Sequence, residues 1–263
     1  MQKINYQKEL EKIISQFSGK ADSSKPSLLL HACCGPCSSY VIEYLASIFD
    51  ITIYYYNPNI HPEKEYLRRL EELKKFLTVF PEAIKNKVKL IVDDYNPEDF
   101  FEATNVRNET ELQTEPEKGE RCRRCYRLRM FRSWQFACKN DFDWFTTTLS
   151  ISPHKDSQMI NEIGINLEKE KINLPSAKDG QSVPKTRFLI SDFKKKNGYL
   201  RSTQLSAEYG LWRQDYCGCV FSMRNREKAN TQDVAADTTS DSLSETPAAP
   251  LYSNEKNLQN NIE

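Results

Sequence analysis

Five short apolar or β-branched runs, separated by segments of helical period, most constrain what this chain can fold into. They are SLLLH at 27–31, ITIYYY at 51–56, VKLIVD at 88–93, DWFTTT at 143–148 and, more weakly, RFLIS at 187–191. The spacing between them predicts helices near 38–49, 62–79, 97–103, 121–139, 156–164 and 198–209. The second is the clearest, with Pro62 in the first turn and Tyr66, Leu70, Leu73, Leu77 and Phe80 recurring at three- and four-residue intervals. Strands alternating with helices specify an α/β fold, a parallel sheet covered by helices, because parallel neighbours need crossover connections. Two polar stretches, 104–120 and 166–186, read as loops or insertions, and the Lys/Glu-rich run in the second reads as solvated surface.

The 263 residues suit one principal core. The chain divides into an N-terminal helical extension at 1–25, a main domain at 26–228 and an acidic tail at 229–263. The tail holds six acidic residues, one lysine and one aromatic residue. With so little apolar surface to offset its ordering entropy, it is expected to be disordered. Without the tail the body carries 36 basic and 31 acidic residues, a net charge near +5. No run of eighteen apolar residues is present, and MQKINYQKELEKIISQF lacks the apolar centre of a signal peptide. A soluble, cytoplasmic protein with no membrane partner is the expectation.

A reducing compartment turns attention to the eight cysteines, which cluster as Cys33/Cys34/Cys37, Cys122/Cys125 and Cys217/Cys219, with Cys138 apart. Ligands of open parallel sheets bind beyond the carboxyl ends of strands. HACCGPC occupies the first such turn, and Asn57-Pro58-Asn59, Asp93-Asp94 and Thr148-Leu149-Ser150 follow later strands. Cys33-Cys34 with Cys122-x2-Cys125 offers four thiols on two elements, suiting zinc or an iron–sulfur cluster. The spacing fits neither a radical-SAM signature, which would need a cysteine at Tyr40, nor a zinc ribbon with its paired CxxC knuckles, so a cluster bridging the first turn and a later helix fits better. Cys37 stays open between a competing cluster ligand, a ligand to a second metal and a buried helix residue. Cys138, following Phe131, Trp134 and Phe136, reads as core. Cys217-Gly218-Cys219 forms a tight pair able to bind metal or to cycle between dithiol and disulfide, and with four thiols already assigned, redox cycling is the economical role.

RCRRCYRLRMFR packs six arginines into twelve residues around the second pair. Arg121, Arg123, Arg124 and Arg127 are candidate contacts to RNA phosphates, with Lys194, Lys195, Lys196, Arg201 and Arg213 as further charge. Some of this charge suits an anionic thiolate-bound centre instead. Neither GxxxxGK[ST] nor GxGxxG occurs, which disfavours ATP use.

HACCGPC, YYYNPNIHPEKEY, CRRCYRLR, TTTLSISPHKD, DFKKKNGYLRS and YCGCVFS, in this order over about 27–223, resemble the cobalamin-independent epoxyqueuosine reductases of the QueH type. The resemblance implies a fold similar to the adenine-nucleotide α-hydrolase (HUP) fold and a [4Fe-4S] cluster. It also implies reduction of epoxyqueuosine to queuosine at the tRNA wobble position, the final step of queuosine synthesis, which makes 26–228 an iron–sulfur reductase domain. Carried onto this chain, Cys33, Cys34, Cys122 and Cys125 match the cluster ligands, and Cys217 and Cys219 match a redox-active pair. Cys37 matches a position that varies between cysteine and carboxylate, which suits a ligand to an additional iron. The implied partners are tRNA carrying epoxyqueuosine and an unidentified electron donor. His154, Lys155, Asp94 and Asp192 are candidate proton donors, and His31 is expected to pack beside the first turn. Two other readings are a cluster-dependent tRNA thiolase, which should carry an SGGxDS-like loop absent at 33–39, and a zinc-stabilised RNA-binding module.

Overall fold

The computed structural model describes residues 3–17, 25–170 and 184–227. Five strands, β1 (Ser27–His31), β2 (Asp50–Tyr55), β3 (Lys89–Val92), β4 (Trp144–Thr147) and β5 (Arg187–Phe188), form one sheet in the order β3-β2-β1-β4-β5. Every pairing is parallel, with Leu28 opposite both Ile51 and Trp144 and His31 opposite both Tyr54 and Thr147.

Period-two alternation sorts the strand side chains between two cores. Leu28, Leu30, Ile51, Ile53 and Tyr55 pack with Val41 and Leu45 of α2 (Gly35–Leu45) and with Leu70 and Leu73 of α3 (Glu63–Val79). Leu205 of α9 (Gly198–Glu208) joins the same core. Leu29, Tyr54 and Tyr56 face the opposite way. They meet Tyr126, Met130 and Trp134 of α7 (Glu120–Lys139) and Ile160, Ile163 and Leu167 of α8 (Ser157–Glu170). The result is three layers, with apolar residues on both faces of the central strands, as covered parallel sheets require.

All five expected strands are present, although β5 is confined to two residues. The helices differ at their ends. α2 begins at Gly35, three residues earlier than expected, because extended Cys34 serves as N-cap and Pro36 occupies the first turn. α8 continues to Glu170, into the stretch read as a loop. The other polar stretch, 104–120, contains the short helix α6 (Glu111–Thr114). α1 (Tyr6–Ile14), α4 (Pro81–Lys85) and α5 (Pro97–Thr104) complete the named helices. Residues 171–183 and the tail expected to be disordered at 229–263 lie outside the described residues.

The chain runs outward from β1 to β2 and β3, then returns to the other side of β1 for β4 and β5. The carboxyl ends of β1 and β4 therefore flank the topological switch, where such sheets open a crevice. Buried polar groups tie this end of β1 to the ends of both β2 and β4. Asn57 Nδ2 donates to the Ala32 carbonyl at 2.9 Å, and His31 bridges Thr147 Oγ1 at 2.9 Å and the Tyr56 carbonyl at 3.1 Å. Among the described residues no helix is long and apolar enough to cross a membrane.

Candidate active site

Cys33 and Cys34 leave β1 and Cys37 lies in the first turn of α2, so the early helix start draws three sulfurs together. Their Sγ atoms all lie within 4.8 Å of one another, with Cys33 and Cys34 at 3.8 Å. Gln214 reaches in from a distant loop and donates to the Cys34 sulfur at 2.9 Å. Hydrogen bonds from the Cys34 and Cys37 thiols, with Lys155 and Arg129 nearby, hold Cys33 well below the ordinary thiol range. Burial and the neighbouring sulfurs push Cys34 well up, and the Cys33 sulfur carries Cys37 to about 12. Cys37 is half-buried and lines an open cleft, so it is not a sealed core residue. Behind the turn, burial drives His31 down to about 3, leaving a neutral imidazole. Its Nε2 faces a carbonyl and must carry the proton, while Nδ1 accepts from Thr147.

The second pair lies one turn apart at the start of α7. Glu115 caps this helix, its carboxylate accepting from the amides of Glu120 at 2.7 Å and Arg121 at 2.8 Å. Burial raises both Cys122, to about 11, and Cys125. Cys122 and Cys125 share one small cavity with Cys217 and Cys219, and Arg121, Arg129 and Lys155 also line it.

The 217–219 loop is shaped by Gly218, at φ 115°, a torsion that L side chains rarely adopt. Arg69, fully buried on α3 and paired with Glu65 at 2.7 Å, donates to the carbonyls of Cys217 at 3.3 Å and Tyr216 at 3.4 Å. Nothing in the local pattern of α3 marks Arg69 for this role, because its partners lie almost 150 residues away. The Cys217 and Cys219 sulfurs stand 3.6 Å apart. Hydrogen bonds from Cys219 and Ser222 and the charge of Lys155 lower Cys217 well below the ordinary thiol range, while the adjacent sulfur and burial raise Cys219. The two environments thus favour ionisation of Cys217 over that of Cys219.

Between these groups opens a cleft of about 410 Å³, a volume that suits a nucleoside-sized ligand. Cys37 and Cys217 both line it, with Glu117, His154, Lys155 and Gln214. Of the expected proton donors, His154 and Lys155 reach this cleft. Asp94 and Asp192 are not among its lining residues, and Asp192 instead pairs with Lys194 at 2.8 Å. Glu117 escaped the sequence reading because it sits in a polar stretch taken for an insertion. Burial, reinforced by Cys217, raises its carboxyl above the ordinary range.

The arginine-rich segment requires a correction. Arg121 is 1 % exposed and donates to the carbonyls of Leu112 and Gln113, so it is no surface contact for RNA. Arg124 pairs with Glu109 and Glu120, both at 2.9 Å, Arg127 with Glu170 at 3.1 Å, and Arg123 approaches Glu120 at 3.9 Å. The density of arginine therefore ties α7 to its neighbours and is not an unpaired basic stripe. Cys138 is buried against the α7–α8 core, as expected.

The donor chemistry fits a metal centre. Among the described residues, Cys33, Cys34 and Cys37 lie close enough together to hold a metal ion. In the neighbouring cavity, Arg129 Nε and Arg121 Nε and Nη2 are buried without hydrogen-bond partners among the described residues. Buried guanidinium groups facing thiols call for negative charge, which a thiolate-ligated centre supplies.

The chain is 41 % identical over 223 residues to the epoxyqueuosine reductase QueH of Streptococcus pyogenes, covering 85 % of this chain and 80 % of that protein. It is 41 % identical over 220 residues to that of Staphylococcus epidermidis, covering 84 % and 85 %. Among solved structures it is similar to the U34-tRNA thiolase NcsA from Methanococcus maripaludis with its [4Fe-4S] cluster, at 14 % identity and TM-score 0.43, covering 88 % of this chain and 73 % of that one. A likeness that distant has no bearing on chemistry. The model of the family described as epoxyqueuosine reductase QueH matches residues 28–225, a span that holds every thiol described above, and the chain belongs to that family of oxidoreductases.

Proposed function

We propose that this protein reduces epoxyqueuosine in tRNA to queuosine, the final step of queuosine synthesis, with the epoxide oxygen leaving as water. The observation that supports the reading is the nucleoside-sized cleft itself, lined by both Cys37 of the thiol triad and Cys217 of the dithiol. Reducing an epoxide to an alkene and water takes two electrons and two protons. With Cys217 ionised, oxidation of the Cys217/Cys219 pair to a disulfide releases two electrons and one proton, Glu117 supplies the second proton and regains it from solvent, and a separate electron donor then restores the pair. Cys217, whose ionisation is favoured by Cys219, Lys155 and Ser222, is the redox-active residue at the cleft, and Cys219 is its resolving partner. Glu117 is placed to deliver a proton to the departing oxygen, and its raised carboxyl keeps more of the acid form available. Lys155 holds positive charge where the oxygen would become negative.

Cys33, Cys34, Cys122 and Cys125 are the residues that would hold a [4Fe-4S] cluster, leaving Cys37 as ligand to an additional iron. When bound, the cluster would supply electron-transfer chemistry. Arg129 and Arg121 would balance its charge, and Gln214 donates to the Cys34 sulfur. A tRNA substrate places the protein in the cytoplasm.

The test is anaerobic purification with iron and sulfide analysis, followed by incubation of the reduced protein with epoxyqueuosine-containing tRNA and mass analysis of its nucleosides. Iron-loaded protein that binds this tRNA but never yields queuosine with any of several reductants would sink the assignment. A colourless zinc protein that leaves the tRNA unchanged would favour an RNA-binding module.

A further inference from the structure

A second cleft, of about 550 Å³, opens beside the candidate active site, and Lys155 lines both. Lys3, Lys118, Lys194 and Lys195 also line it, brought together from the N-terminal segment, the turn before α7 and the segment before α9. Its two carboxylates are engaged. Asp192 pairs with Lys194 at 2.8 Å, and Asp156 accepts the Gln158 amide at 2.8 Å and the Met159 amide at 3.3 Å at the start of α8. Lys3, Lys118 and Lys195 are exposed, and none has an ion-pair partner among the described residues. The contrast with α7 is chemical. Arg124 and Arg127 have their charge met by carboxylates, whereas these three lysines present theirs to solvent.

A nucleoside reaching the thiol cleft as part of an RNA strand brings flanking phosphates with it. Those phosphates must lie outside the cleft, within reach of its rim. Neutralising them releases condensed counterions, and unpaired lysines do this without first breaking a protein ion pair. Resting on the tRNA reading above, we propose that the lysine-rimmed cleft docks the RNA sugar–phosphate backbone beside the reacting nucleoside, with Lys3, Lys118 and Lys195 as its phosphate contacts. Such contacts position the strand without reading its sequence, leaving recognition of the modified base to the neighbouring cleft.

The test measures binding of the full-length chain to a synthetic anticodon stem-loop RNA with an unmodified base, as a function of salt. The Lys3→Ala/Lys118→Ala/Lys195→Ala variant should lose about tenfold or more in affinity near 0.1 M salt, and its log–log salt slope should fall by about 0.7 for each phosphate contact removed. An Arg123→Ala/Arg127→Ala variant should change both far less. If the lysine variant keeps the parent affinity and slope while the arginine variant loses them, RNA runs along α7 and the proposal is overturned. Conversion of epoxyqueuosine by the iron-loaded parent tests the catalytic reading separately. Lysine-dependent binding without conversion would leave the docking surface standing and remove only the reaction.

Discussion

Cys217 and Cys122 face the same cavity, yet their surroundings assign them different work. Cys217 has a thiol and a hydroxyl hydrogen-bonded to it and Lys155 nearby, which favour the reactive thiolate. Cys122 is raised to about 11, chiefly by burial, and needs a metal to hold it deprotonated. Cys122→Ser is expected to lose cluster iron and sulfide, whereas Cys217→Ser should retain both and lose turnover. A full complement of cluster iron in the Cys122 variant would reject the ligand set. Glu117→Gln should keep iron content and RNA affinity but slow queuosine formation by about 10²-fold, the usual cost of removing a general acid. Unchanged single-turnover rates between pH 6 and 8 would exclude Glu117 as proton donor.

At the scale of elements, α7 carries the second thiol pair and depends on contacts made far from it in sequence. Glu115 supplies the N-terminal cap, and a Cβ on Gly119 would meet the Glu115 carboxyl carbon at 2.2 Å. Glu115→Ala should therefore cost about 1–2 kcal/mol. Gly119→Ala should act in the same direction by displacing the carboxylate, which denaturant unfolding of both variants would check. Further along α7, Arg132 pairs at 2.8 Å with Asp93, at the end of β3, which also accepts from the Tyr54 hydroxyl. Burial alone would raise Asp93, but Arg132 and Tyr54 outweigh it and hold the carboxyl below its ordinary 3.8. The folded state thus favours the charged form. Its contribution is complete above the ordinary carboxylate pKa and is lost as pH falls through the lowered one. Asp93→Asn should cost about 1 kcal/mol near neutrality, discounted for the exposure of Arg132, and the difference from the parent should shrink below about pH 4. An acid titration of unfolding midpoints that leaves the two proteins equally far apart at pH 3 would refute this linkage.

For the whole molecule, the strand order decides where chemistry gathers. Because β1 lies between β2 and β4, the turn bearing Cys33 and Cys34 opens at the switch, beside the turn after β4 that leads to His154 and Lys155. The sequence by itself determined the layers. Leu28 and Leu30 against Leu29 read as a strand covered on both faces, since side chains alternate strictly along β structure. It also determined which thiols belong to which turn, because HACCGPC, CRRC and CGC are local patterns that survive without knowledge of their neighbours. Only the tertiary structure decided what those groups meet. Arg69 holding the Cys217 loop, Gln214 on Cys34 and Glu117 on the cleft wall depend on residues or elements far apart in the chain. The arginines of α7 looked free for RNA because Glu109 and Glu170 lie outside their own helix, while the lysines of the second cleft were scattered among unrelated segments. Period and turn chemistry are written along the chain, but whether a charge is paired, buried or open depends on which distant segment folds against it.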